Sequence, residues 1–251
     1  MEPALLRRIE EASLNAWPPL LQMLYDGWLL RFANGYTRRA NSANPVYSGR
    51  LPLGEKIGQV EQLYRERGLK PTFRLAPLVQ PEALDGLLEQ AGYADNALTS
   101  VQALDLAGFS TQPAPAAHYW DALPPAWLEA YVRMNGVAAA HLPALQGILS
   151  NIAARRCFML LLKEDQPAAC GLAVLETGLA GLFDIVTAAE FRGQGLGRQL
   201  VMSLLHWAKG QGAGLAYLQV MLDNAPALRL YGRLGFEEVY RYWYRVKEVP
   251  E

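Results

Sequence analysis

The run Arg192-Gly193-Gln194-Gly195-Leu196-Gly197-Arg198 carries the most specific chemistry in the chain. Glycines at 193, 195 and 197 leave the backbone bare, so that an anion can approach the N–H groups closely. Successive N–H groups that lead into the positive end of a helix form an anion site. Arg192 and Arg198 can add charge-assisted contacts. Two common phosphate binders are excluded by spacing. A dinucleotide fingerprint needs Gly-x-Gly-x-x-Gly, and counted from Gly193 its last glycine would fall on Arg198. A P-loop needs Gly-Lys-Ser/Thr, which this run lacks. By itself the loop indicates a phosphate or pyrophosphate ligand or, at its blandest, a glycine turn that opens a helix.

The elements around the loop must hold it at the edge of a sheet. Residues 181–187 read as a strand that leads into it. Residues 195–211 read as a helix with apolar positions at Leu196, Leu200, Val201, Leu204, Leu205 and Ala208. A strand over 216–222, a helix over 226–234 and a strand over 238–247 follow. Upstream, 125–135 and 142–153 read as helices, the first with an apolar stripe at Trp127, Ala130, Tyr131 and Met134. Residues 157–162 and 168–177 read as strands joined by the polar turn Lys163-Glu164-Asp165-Gln166.

The first half repeats this order. Leu84-Asp85-Gly86-Leu87-Leu88-Glu89-Gln90-Ala91-Gly92-Tyr93 aligns with Ala227-Leu228-Arg229-Leu230-Tyr231-Gly232-Arg233-Leu234-Gly235-Phe236, and Gly35 aligns with Gly178 at the same offset. A constant offset through similar elements indicates duplication. The segment 108–117, rich in small residues and proline, reads as a linker. The expected division is therefore 1–112 and 118–251, each an α/β unit with a mixed, mostly antiparallel twisted sheet flanked by helices. The duplication did not preserve the loop: Arg192 to Gly197 align with Gly49-Arg50-Leu51-Pro52-Leu53-Gly54, and Tyr231 aligns with Leu88. Pro52 also removes a backbone donor. Arg31, Arg38, Arg39, Asn41 and Asn44 could line a groove, although an exposed, solvated hairpin is the favoured reading.

The strand, the Glu190–Arg198 segment and the long helix after it resemble the coenzyme-A-binding motif of the GNAT N-acetyltransferase superfamily, Arg/Gln-x-x-Gly-x-Gly/Ala. Asn224-Ala225-Pro226-Ala227-Leu228-Arg229-Leu230-Tyr231, followed by Leu234-Gly235-Phe236, is similar to a second signature of that family. The resemblance covers residues 118–251, and the first half looks like a degenerate copy. It implies an N-acetyltransferase that moves an acetyl group from acetyl-CoA to a primary amine, with no metal. Ile185, Val186 and Thr187 would hold the pantetheine arm and acetyl carbonyl through their backbones. Arg192, Gly193, Gln194, Gly195, Leu196, Gly197 and Arg198 would hold the pyrophosphate. Asn224 would lie beside the cosubstrate, and Tyr231 would face the sulfur as the catalytic acid. The proline that usually follows the third strand is missing, and Ala188 and Ala189 stand in that turn.

Such a transfer needs a neutral amine, yet a lysine-type amine with a pKa of about 10.4 is mostly protonated at neutral pH. Some relatives carry a glutamate base on a central strand, where this chain offers only Gln219, and an amide cannot serve. Asp184 is the nearest acidic candidate, with a structural role equally open. Asp223 reads as a turn residue, His141 as a lone histidine between two helices, and His206 as surface or packing. Asn224 also reads as a helix cap. A non-catalytic acyl-CoA sensor, and transfer of a different acyl group, are the competing expectations.

Composition narrows the partners. With 23 Lys/Arg against 24 Asp/Glu the net charge is −1, and no basic stripe suggests nucleic acid. No apolar run is long enough to span a membrane. Two cysteines do not make a disulfide framework, so a cytoplasmic location is expected. The acceptor is expected to be an amine on a small molecule, peptide or protein.

Overall fold

The two turns aligned by the repeat take similar φ angles. Asn34 and Gly35 have φ of 51° and 77°, and Thr177 and Gly178 have 46° and 80°. Glycine takes this left-handed region without strain. Thr177–Gly178 closes a two-residue hairpin between the strands Gln166–Glu176 and Leu179–Thr187. Asn34–Gly35 instead begins a longer connection, with a 3-10 turn at Arg38–Ala40, between the strands Trp28–Phe32 and Ala43–Pro45. A computed structural model describes residues 3–77, 81–111, 113–114 and 117–248.

The first half runs α1 (Pro3–Ala16), β1 (Leu21–Tyr25), β2 (Trp28–Phe32), β3 (Ala43–Pro45), α2 (Leu53–Arg65), β4 (Thr72–Leu75), α3 (Leu84–Gln90) and β5 (Ala94–Asp105). The second half runs β6 (Ala117–Trp120), α4 (Pro125–Asn135), α5 (Leu142–Ser150), β7 (Arg155–Lys163), β8 (Gln166–Glu176), β9 (Leu179–Thr187), α6 (Leu196–Gly210), β10 (Leu215–Met221), α7 (Ala225–Arg233) and β11 (Glu237–Val246). The second-half helices and strands read from periodicity fall on these elements with small shifts at their ends.

The α/β class holds, but the strands make one sheet rather than two. Its eleven strands run in the order β1-β2-β3-β4-β11-β5-β10-β9-β8-β7-β6. The last strands of the two halves are exchanged. β11 pairs with β4 and β5, and β5 pairs with β10 and β11, all antiparallel. Backbone hydrogen bonds thus cross between the halves along the middle of the sheet, which a linker-based division does not foresee. The expected linker includes residues 112, 115 and 116, which lie outside the described residues.

Alternation along the strands sends side chains to two layers. On one face, α1, α4 and α5 cover a core that includes Ile9, Trp17, Trp127, Leu145, Phe158, Leu172, Tyr217, Tyr240 and Tyr244. On the other, α6 and α7 pack Leu200, Leu204 and Tyr231 over the second half, while α2 and α3 pack Val60, Tyr64, Leu84 and Leu88 over the first. The helix α1 escaped the sequence reading because its buried face is Ile9, Glu10, Ala12, Ser13 and Ala16, with a single large apolar residue. Charged contacts hold it instead. Glu10 pairs with buried Arg74, and fully buried Arg31 donates to the carbonyls of Leu14 and Trp17, where the helix leaves its last C=O groups unpaired. Among the described residues no helix is long and apolar enough to cross a membrane.

Candidate functional site

β9 and β10 run parallel and pair from Leu179↔Leu215 to Leu182↔Leu218, after which they part. A bulge on β9 causes the separation. Leu172 pairs with Phe183 and Cys170 with Val186, so Gly171 alone faces Asp184 and Ile185. Asp184 takes φ of 52°, a left-handed conformation that Asp tolerates better than most residues. The bulge is built in from both sides. Trp127 on α4 donates to the Gly171 carbonyl at 3.1 Å, and a Cβ on residue 171 would crowd Leu204 at 3.1 Å and Leu200 at 3.2 Å. A bulge bends its strand and redirects side chains, and here it opens a groove of about 740 Å³ between the diverging ends of β9 and β10.

Ile185, Val186, Asn224 and Tyr231 line the groove, as do Gln219 and Asp223. Asn224 caps α7, accepting from the Ala227 N–H at 3.2 Å, so its capping reading holds. Tyr231 is almost buried and packs edge-on against Phe236, with ring centres 5.9 Å apart. Burial pushes its phenol up to about 12, so it is protonated at neutral pH and able to donate. Among the described residues its hydroxyl has no hydrogen-bond partner.

The glycine loop stands beside the groove. A Cβ on Gly197 would lie 3.6 Å from Thr187 Oγ1 and 3.5 Å from Leu230. Gly193 and Gly195 have φ of 75° and 80°, where any other residue would be strained. The first backbone bond of the turn runs from Gln199 N–H to Gly195 C=O, which leaves the N–H groups of Leu196, Gly197 and Arg198 without intrahelical acceptors. Arg192 and Arg198 are exposed next to these donors. Lys163, read from sequence as a turn residue, ends β7 with its ammonium on Gln194 Oε1 and 5.6 Å from the Phe191 ring centre. It adds a third cation to the loop.

Asp184 faces the groove from the bulge. Its Oδ1 accepts from the Tyr131 hydroxyl at 3.1 Å, and that hydroxyl accepts from Asn135 Nδ2 at 3.0 Å. Its Oδ2 is buried with no partner among the described residues. Desolvation raises the carboxyl to about 6, against the opposing pull of Arg39 and of the Tyr131 hydrogen bond. A carboxylate in that range accepts protons at neutral pH better than an ordinary one.

Of the other candidates, His206 falls where the sequence placed it and several first-half residues do not. Gln219 accepts from the Tyr242 hydroxyl at 3.0 Å. His141 lies beside Tyr36 with ring centres 5.5 Å apart, and His206 is a surface residue 3.1 Å from Thr111 Oγ1. The favoured solvated-hairpin reading of Arg31, Asn41 and Asn44 is overturned, because all three are buried and hydrogen-bonded within the first half. Arg39 lines the groove, delivered there by the first half. Tyr131 and Asn135 were also missed as site residues. Their spacing of one helical turn puts them on one face, but Tyr131 also belongs to an apolar stripe and reads as core.

A family model described as "Probable histone acetyltransferase Rv0428c C-terminal" matches residues 4–245. The chain is 29% identical over 246 residues to the uncharacterized N-acetyltransferase YobR of Bacillus subtilis, covering 96% of this chain and 98% of that one. It is 28% identical over 243 residues to the probable histone acetyltransferase Rv0428c of Mycobacterium tuberculosis, covering 93% of this chain and 71% of that one. A GCN5-related N-acetyltransferase structure from Kribbella flavida superposes with a TM-score of 0.71 over 97% of this chain and 96% of that chain, at 17% identity. With the splayed strands and glycine loop already in place, these matches mean that the chain belongs to the Rv0428c C-terminal family of GNAT N-acetyltransferases.

Proposed function

We propose that the chain transfers an acetyl group from acetyl-CoA to a primary amine, in the groove between β9 and β10. The observation that carries this reading is the placement of Asp184 and Tyr231 on one groove whose edge abuts a helix start with free N–H groups. The donors of Gly193 to Arg198, with Arg192, Lys163 and Arg198 around them, fit a pyrophosphate. Backbone groups of Ile185 and Val186, on a strand end released from β10, are open to pair with an amide-bearing arm, and Asn224 lies beside the arm. The Thr187 carbonyl accepts from Arg192 Nε at 3.4 Å and would have to be released to join them.

Acetyl-CoA, when bound, supplies an activated thioester. Asp184 takes the proton that the incoming ammonium must lose before its nitrogen can bond to the acetyl carbon. Tyr231 gives its phenolic proton to the sulfur as the carbon–sulfur bond breaks, and the second proton shed by the nitrogen as it becomes an amide restores the phenol. Tyr131 and Asn135 orient the Asp184 carboxylate, while the two strand walls keep both reactants in register. Each proton-transfer residue supports roughly 10²- to 10⁴-fold of the rate.

Thiol release from acetyl-CoA, measured against a panel of amines, tests the reading. Turnover that depends on both amine and Asp184 supports it. Tight binding of acetyl-CoA with no turnover on any amine would instead make the site an acyl-CoA sensor.

A further inference from the structure

Two side chains on the groove carry opposite charges, come from opposite halves and do not neutralise each other. Among the described residues the Arg39 guanidinium makes no hydrogen bond and no ion pair, and its Nη1 is buried without a partner. Asp184 likewise keeps Oδ2 buried and unpartnered. The two interact through space but are not within ion-pair distance. Leaving such groups unpaired is unfavourable, and a ligand that satisfies both relieves it.

Arg39 is also held in place before any ligand arrives. Its guanidinium carbon lies 5.1 Å from the Trp17 ring centre and 5.6 Å from that of Phe183. Trp17 is anchored by its Nε1–H to Thr37 Oγ1 at 3.1 Å, and the Arg39 carbonyl accepts from Arg31 at 2.8 Å. A guanidinium set against two aromatic faces loses little freedom when it takes a carboxylate. Asp184 and Asp223 on the same groove disfavour a multiply charged anion.

We infer that the acceptor is a small zwitterion of the amino-acid type, whose carboxylate is held by Arg39 while its amine meets Asp184. This deepens the acetyl-transfer reading and rests on it. The long arm of a protein lysine carries no carboxylate near its amine and would leave Arg39 unpaired.

The test uses the full chain with the twenty common amino acids, their methyl esters and the matching decarboxylated amines. For the preferred amino acid, kcat/KM should exceed that of its ester by roughly 10- to 100-fold. Arg39→Gln should bring that ratio close to one, mainly through KM for the acid, and Arg39→Lys should keep part of it. Calorimetry of the same amino acids in the presence of CoA gives a second readout, in which Arg39→Gln loses binding. Equal rates for acid and ester in the wild-type protein overturn the inference, as does a preference that survives Arg39→Gln. Acetylation of lysine-bearing proteins with none of free amino acids also overturns it and leaves acetyl transfer standing. If no amine is turned over, acetyl transfer fails. Calorimetric binding lost with Arg39 would then still support a zwitterion site, and no binding would end that as well. Should Arg39→Gln not fold, the acid-to-ester ratios of the wild-type protein and Arg39→Lys decide.

Discussion

The two halves present the same order of helix and strand, yet their loops at the start of α2 and α6 meet anions differently. In the first half the anion is part of the chain. The Asp26 carboxylate accepts from the N–H groups of Arg50 and Leu51 at 2.9 and 3.0 Å and pairs with Lys56 at 3.0 Å. Those backbone donors, helped by Lys56, hold the carboxyl down to about 2. Gly49 makes room, since a Cβ there would lie 2.1 Å from Asp26 Oδ2. In the second half the corresponding hairpin turn offers Lys163 instead, and the donors that begin α6 stay open. One loop is closed by an internal charge and the other is left for an external one.

The strands differ in the same sense. At the constant offset of the sequence repeat Asp184 aligns with Asn41, although Asn41 precedes β3 whereas Asp184 lies within β9. The Asn41 amide is fully engaged, accepting from Ala33 and Gly35 N–H and donating to the carbonyls of Tyr36 and Thr37. Asp184 keeps an oxygen unpaired. Between the ends of β3 and β4 the first half retains a cavity of only about 30 Å³, bordered by α1 and the Glu10–Arg74 pair, against about 740 Å³ between β9 and β10. On the same scaffold, polar groups that find partners within the chain leave nothing for a ligand, and those left unpaired mark the groove.

The sharpest way to break this contrast is to place an anion in the open loop. Gly195→Asp puts a carboxylate and a strained backbone at φ of 80°, and should raise the Kd for acetyl-CoA by roughly 100-fold or more in an equilibrium titration. Asp26→Ala should lower Tm and leave that Kd within about twofold, because the first-half loop binds no cosubstrate. A Kd that moves as far in Asp26→Ala as in Gly195→Asp would erase the distinction.

Asp184→Asn removes the unpaired carboxylate that sets the second half apart and should cut kcat by roughly 10²- to 10³-fold. In the wild-type protein kcat/KM should rise as pH passes through about 6, and in the variant that inflection should vanish. Tyr231→Phe is a smaller change. A fall of roughly 100-fold in kcat, the lower end for a proton-transfer residue, with KM for acetyl-CoA little altered, is expected if the phenol protonates the sulfur. Unchanged kcat would remove that role alone.

Stability against pH should separate the two carboxylates by sign. Asp184 is raised in the folded protein, so its contribution is fully present below pH of about 4 and lost as pH rises through about 6. Asp184→Asn should therefore gain about 3 kcal/mol over the wild-type protein at pH 8 relative to pH 4. Asp26 is lowered, so its contribution is present above pH of about 4 and lost as pH falls toward 2. Asp26→Asn should flatten that acid limb. Urea titrations across a pH series measure both slopes.

Much of this contrast was legible in the chain. The Gly193–Gly197 spacing indicated an anion loop, the alignment with Gly49–Gly54 indicated its loss, and periodicity placed the second-half elements. The partners of these residues were not legible. Nothing in the sequence marks Asp26 until the fold brings it to Arg50, and Arg39 reads as an exposed arginine until the sheet carries it to the groove. Strand exchange was equally hidden, because β5 and β11 have the alternation of any sheet strand and either neighbour satisfies their hydrogen bonds.

What is local was readable along the chain: which segments bury a face, where glycine frees the backbone and where a helix begins. Which polar groups are satisfied and which are left for a ligand emerged only once the chain was folded. That choice depends on desolvation and on hydrogen-bond geometry between segments far apart in the chain, as with Asp184, Tyr131 and Arg39.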